Sequence, residues 1–191
     1  MFYRGPFYHD GNYRMLAPLA AVLPVLMAQA VWWAAILAGA ALAAAALLVQ
    51  IALTFWLDRN NLPSWRRLLL LTGSGLLLDA LTVQLDLVAF RDAGALGLPL
   101  WLLLLWISFA LTVPRLQQWL PRRASQLAVF VIAAPLAYFA GAALGAATVQ
   151  QPLWYGITLV IGWSALTLLW QVRGDEPRAP VPLSHQQHLS P

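Results

Sequence analysis

Asp79 and Asp86 are the residues of this 191-residue chain whose type and spacing most suggest chemistry. They lie in residues 68–90, LLLLTGSGLLLDALTVQLDLVAF, a stretch long enough to cross a bilayer as a helix, which takes about 20 apolar residues. Seven helical residues make nearly two full turns. Both carboxyls would then project from one face of such a helix, about 10 Å apart along its axis. Thr82 shares that face, and Gly75 lies one turn before Asp79. An ionisable residue at membrane depth costs roughly 2.5–3.5 kcal/mol on insertion scales, so it faces protein or a water-filled cavity. No Arg or Lys lies at the depth of Asp79, whose carboxyl must accept hydrogen bonds from polar side chains or water, or carry a proton. Asp86 is placed to reach Arg91.

Three kinds of chemistry fit this pair. Asp79 can be a buried group that hydrogen-bonds packed helices together. It can handle a proton or a substrate in a small proton-coupled transporter. Asp79 and Asp86 together can serve as the acid and base of a membrane-embedded enzyme. Paired carboxylates alone do not choose among these. Cys is absent, which excludes disulfides, thiolate catalysis and Cys-based metal sites. His9, His185 and His188 all lie in the terminal segments, so no metal site and no cofactor are expected. There is no phosphate loop and no nucleophile motif. With no complete catalytic constellation, no catalytic residue is assigned and the balance falls against an enzyme.

The elements that position these residues follow from composition. Hydrophobic residues make up 61% of the chain and charged residues 9%, against about 25% charged in soluble domains. This is the composition of an all-α polytopic membrane protein. The net charge of +4 comes from arginines scattered at span ends, with no Lys, and implies no nucleic-acid partner. A polar N-terminal segment, 1–14, precedes a six-helix transmembrane domain over 15–172. The apolar run 15–57 would be about 65 Å long as one helix, twice the hydrocarbon thickness, so it must fold back. Breaking it near Ala38–Gly39–Ala40 gives spans of 17–37 and 40–57. A competing view takes 15–27 as the core of a cleaved leader ending at Ala28–Gln29–Ala30. Because the chain stays apolar beyond that point, a first span is the simpler reading. Further spans are expected at 68–90, 99–113, 126–148 and 153–171, followed by a disordered Pro-rich tail, 173–191. Pro114 is expected to end the fourth span.

Orientation follows from the arginines. With the N-terminus cytoplasmic, that side holds Arg4, Arg14, Arg59, Arg66, Arg67, Arg115, Arg122, Arg123, Arg173 and Arg178, and the other side holds only Arg91. Both termini are therefore expected in the cytoplasm. Trp56, Trp65, Trp119 and Trp170 then fall near the inner interface, and Trp32, Trp33, Trp101 and Trp154 near the outer one. No internal repeat is convincing enough to claim the inverted symmetry of transporters. Gly141 and Gly145 form a small-xxx-small pair that lets helices approach closely, as Gly75 does in the third span.

Three segments, GLLLDAL (75–81), PLWLLLLWISFALT (99–112) and APLAYFAGAALGA (134–146), together resemble the bacterial domain of unknown function 2878 family. The chain departs from that pattern at Asp86 and Ala134, where Gly is expected. The resemblance implies a small, multi-pass, uncharacterised protein of the bacterial inner membrane. It also implies a link to envelope lipids, because lipid-modifying genes of the cyclopropane-fatty-acid-synthase type accompany the family. The expected site is a polar pocket of Asp79, Thr82, Asp86, Trp106, Thr112 and Tyr138 at the centre of the third, fourth and fifth spans. Its expected role is to bind or position a lipid or lipid-linked molecule, with a membrane or lipid-modifying protein as partner.

Overall fold

A computed structural model describes residues 13–58, 62–120 and 122–174. Among them are six helices: α1 (Tyr13–Ala38), α2 (Ala40–Asp58), α3 (Trp65–Gln84), α4 (Leu100–Trp119), α5 (Arg123–Ala143) and α6 (Pro152–Gly174). Two three-residue strands, β1 (Val88–Phe90) and β2 (Ala147–Val149), complete the fold. Because α1 begins at Tyr13 and α6 reaches Gly174, only 1–12 and 175–191 of the expected terminal segments lie outside the described residues. Four helices, α3 to α6, are long and apolar enough to cross a membrane. Val22–Ala38 and Ala40–Trp56 are shorter apolar stretches.

The outward faces are as apolar as the interior, which is the pattern of a helix solvated by lipid rather than water. On α3, Leu69, Leu77 and Leu81 are exposed while Thr72, Gly75, Asp79 and Thr82 are buried. The polar side therefore faces protein. The α1–α2 hairpin turns at Gly39, which alone joins the two helices and takes φ +77, a left-handed conformation free of cost only for glycine. This hairpin packs on α4, α4 packs on α3, and α5 packs on α6. Pro114 does not end α4, which continues to Trp119, because membrane helices tolerate an internal proline.

The ends of α3 and α5 differ from the expected long spans. Each helix stops about five residues early and the chain passes into the ribbon β1–β2, an antiparallel pair centred on Ala89 and Thr148. The two exits are copies of one another. At α3, Asp86 N–H donates to Val83 O and Leu87 N–H to Thr82 O, both at 3.0 Å. At α5, Gly145 N–H donates to Ala142 O at 2.9 Å and Ala146 N–H to Gly141 O at 3.0 Å. This is the Schellman turn, which satisfies the last carbonyls of a helix. The ladder bonds repeat it: Arg91 N–H reaches Ala146 O at 2.8 Å, and Gln150 N–H reaches Leu87 O at 3.0 Å.

A shift of 59 positions carries each of these bonds onto its partner, so the exits of α3 and α5 and the strands that follow them repeat one local geometry. The likeness escapes a sequence search because a turn and a short strand are all that the two segments share.

The turn also accounts for Asp86. Its φ is +53, the left-handed position that glycine fills at Gly145 (φ +82). An aspartate tolerates this conformation at some cost. Asp86→Gly is therefore expected to raise stability by roughly 0.5–1 kcal/mol, read as a higher unfolding midpoint in detergent. An unchanged or lower midpoint would count against the turn.

Candidate functional site

Asp79 sits at the centre of the bundle and is fully buried. Trp106 Nε1–H of α4 donates to its Oδ2 at 2.6 Å, and Tyr138 O–H of α5 donates to its Oδ1 at 2.6 Å. Each carboxylate oxygen thus receives one hydrogen bond, from two different helices. Trp can only donate, so the oxygen it faces must accept. Asp79 and Tyr138 are themselves 59 positions apart, the same separation as between the paired Ala89 and Thr148.

Close packing brings Trp106 to the acid. Gly75, one turn before Asp79, leaves the space that the Trp106 indole occupies; a Cβ there would fall within the ring. Trp106 also stacks on Trp163 of α6, with ring centres 5.3 Å apart and planes 18° apart. Phe109, Phe130 and Trp170 meet this pair edge-on or tilted, which binds α4, α5 and α6 into one aromatic cluster.

The remaining expected residues are placed differently. Asp86 is not on the Asp79 face of a helix: it follows the end of α3, is exposed, and has no part in the cluster. Nor does it pair with Arg91, which contacts Asp92 at 3.4 Å and donates to Ile36 O at 2.8 Å and Gly145 O at 3.4 Å. The distance is set by the chain turning away after Gln84. Thr82 is buried but donates to Asp79 O of its own helix, at 2.8 Å. Thr112 belongs to a second network. Gln50 Nε2 of α2 donates to Thr112 Oγ1 and to Ser108 O, both at 3.1 Å, and Ser108 O–H donates to Gln50 Oε1 at 2.6 Å. Gln50 and Ser108 were not anticipated. The available signal was a single amide in the apolar run 40–57. Gly141 meets Ile36 of α1, where a Cβ would lie 3.3 Å from Ile36 Cδ1. Gly145 packs against nothing, and its part is the turn. Trp101 and Trp170 are buried rather than facing lipid, because their indole N–H groups donate inward, to Arg91 O at 3.3 Å and Ser74 Oγ at 3.2 Å.

Beside this centre lies a cleft of about 340 Å³ between α1 and α4 on one side and α5 on the other. Trp106, Tyr138, Ser108 and Thr112 line it, and the aromatic cluster forms its floor. It runs from Leu116 and Val129 at one end to Phe90 and Ala146 under the ribbon. The sixteen residues of α4 from Trp101 to Leu116 span it, a length of about 22 Å at the helical rise. Among the described residues no Arg, Lys, His, Asp or Glu lines it.

The donors on the α4 and α5 walls turn away from the cleft. Trp106 and Tyr138 donate to Asp79, Ser108 to Gln50, Thr112 to Ser108 O at 2.9 Å, and Trp101 to Arg91 O. On these two walls the cleft therefore presents hydrocarbon and ring faces, with Asp79 sealed behind two of the rings. The α1 side adds the Gln29 amide and the Trp32 indole. The α3–α6 interface, by contrast, is closed: Leu78 fills the space beside Gly162, and Trp170 bonds Ser74.

The model of a family described as a protein of unknown function, DUF2878, matches residues 21–169. No curated protein and no solved structure matches the chain.

Proposed function

The chain belongs to this family of unknown function, and we propose that it is a non-catalytic lipid-binding protein of the bacterial cytoplasmic membrane. In this reading all six helices are embedded and both termini face the cytoplasm. The arginine asymmetry supports that orientation: Arg66, Arg67, Arg115, Arg122 and Arg123 lie at one end of the bundle and Arg91 at the other. The lipid chain lies in the cleft between α1, α4 and α5.

The observation that carries this reading is a bilayer-scale, largely apolar cleft whose α4 and α5 wall donors are already used within the protein. A hydrocarbon chain fills such a cleft and asks for no hydrogen bond there. Asp79 acts here as a positioning residue. By holding Trp106 and Tyr138 it fixes the wall, and it does not touch the ligand.

The test is the lipid that accompanies the protein through purification in mild detergent, measured by mass spectrometry per mole of protein. Ala137 lines the cleft on α5. Ala137→Trp places an indole there and is expected to lower bound lipid several-fold. Lipid retained at the wild-type level by a folded Ala137→Trp protein would exclude the cleft as the site.

A further inference from the structure

We infer that the cleft takes one acyl chain of an anionic phospholipid whose headgroup lies at the arginine-bearing end, with the phosphate held by Arg115, Arg122 and Arg123. This rests on the cleft being a lipid site, and it adds which lipid and which way round.

The direction comes from the two ends of the cleft. Under the ribbon it is shut. Phe90, Trp101 and Ala146 are buried there, and the Phe90 and Trp101 rings meet edge-on at 5.9 Å. Arg91 stitches the end of α1 to the exit of α5 through Ile36 O and Gly145 O. Gly141 brings α5 against Ile36 and Trp32 just below. Away from the ribbon the cleft opens sideways: Gln29 and Ala133 are exposed near the middle of α1 and α5, and Val129 nearer the arginine-bearing end. Among the described residues, then, a chain whose headgroup lies at the arginine-bearing end can slide in through this side and stops at the ribbon.

The headgroup comes from charge. Among the described residues no charged side chain lines the cleft, so nothing on those walls would pair with a charged headgroup. At the arginine-bearing end Arg115 adjoins Leu116, the last lining residue of α4, and donates from Nη1 to Gln118 Oε1 at 3.1 Å. Arg122 and Arg123 are exposed where α5 begins, about 9–10 Å along the helix from Val129. Arg66 and Arg67 open α3 at the same end. Guanidinium groups grip phosphate oxygens through charge-assisted hydrogen bonds. A choline headgroup would bring its own cation into this field and lose part of that attraction.

Native mass spectrometry of the full-length protein tests this, using phosphatidylglycerol and phosphatidylcholine with identical acyl chains. Wild type is expected to retain phosphatidylglycerol several-fold over phosphatidylcholine. The double variant Arg122→Gln/Arg123→Gln is expected to bring the ratio near one while phosphatidylcholine retention stays as in wild type. Ala133→Trp, at an exposed lining position that tolerates a larger side chain, is expected to lower retention of both lipids together. No preference in wild type, or a preference untouched by the double variant, overturns the headgroup assignment and leaves the cleft a chain site. Unchanged retention of both lipids in both Ala133→Trp and Ala137→Trp overturns the chain site itself.

Discussion

Asp79→Ala is expected to lose roughly 2–5 kcal/mol of stability, because it leaves the buried N–H of Trp106 and O–H of Tyr138 without acceptors. For a chain of this size that corresponds to a fall of about 5–15 °C in the unfolding midpoint. The loss should be graded. In Asp79→Asn the amide oxygen can still accept from Trp106. The amide nitrogen then faces Tyr138, whose hydroxyl can turn to accept, so Asn is expected to recover about half of the loss. Tyr138→Phe alone should cost less than Asp79→Ala, since the Trp106 bond survives. The Asp79→Ala, Tyr138→Phe cycle should show a coupling near the upper end of the ~0.6–1.7 kcal/mol measured for hydrogen bonds between membrane helices. Strictly additive effects would mean that the two side chains do not share a bond.

The second large effect belongs to glycine. Gly75→Ala is expected to destabilise by roughly 1–3 kcal/mol, the range for overpacking a close-packed core, because the new methyl would occupy the place of the Trp106 indole. The indole cannot yield freely. It is stacked on Trp163 and bonded to Asp79, so moving it breaks the site as well as the packing. Gly73, two residues earlier on the same helix, has nothing within 4 Å of the place its Cβ would take and faces outward. Gly73→Ala should therefore stabilise α3 by about 0.5–1 kcal/mol, the ordinary helical gain. Opposite signs at neighbouring glycines, read as unfolding midpoints, are what the packing requires. Gly75→Ala should also lower lipid retention, since Trp106 lines the cleft, and Gly73→Ala should not. A stabilised Gly75→Ala protein would remove the basis for the α3–α4 contact described above.

The two networks divide the structural labour of the polar residues. Gln50, Ser108 and Thr112 fix the α1–α2 hairpin to α4, and Asp79, Trp106 and Tyr138 fix α3 and α4 to α5. The first holds one wall of the cleft and the second holds the other. Both use polar groups in an apolar interior, where an unpaired donor or acceptor has no water to fall back on. The spacing between the walls is thus set by hydrogen bonds that have few alternatives.

Much of this protein was determined by the sequence alone. An interior as apolar as the exterior places the helices in lipid, and a carboxylate in such a helix must turn toward protein. Gly39 between two long apolar runs and the proline at the start of α6 mark helix ends by local backbone rules. Three segments were enough to point to the family. Tertiary structure decided the rest. Asp86 left the helix because the chain closes a Schellman turn there, and one left-handed residue redirects everything after it. Thr112 joined Gln50 rather than Asp79 because α2, not α5, packs on that face of α4. The ribbon and the cleft both depend on which surfaces meet. In soluble helices a polar stripe records that choice. Here Leu, Ala and Val serve equally well against lipid and against protein, so the local pattern does not distinguish a lipid-facing side from a packed one, and only the assembled bundle sets them apart.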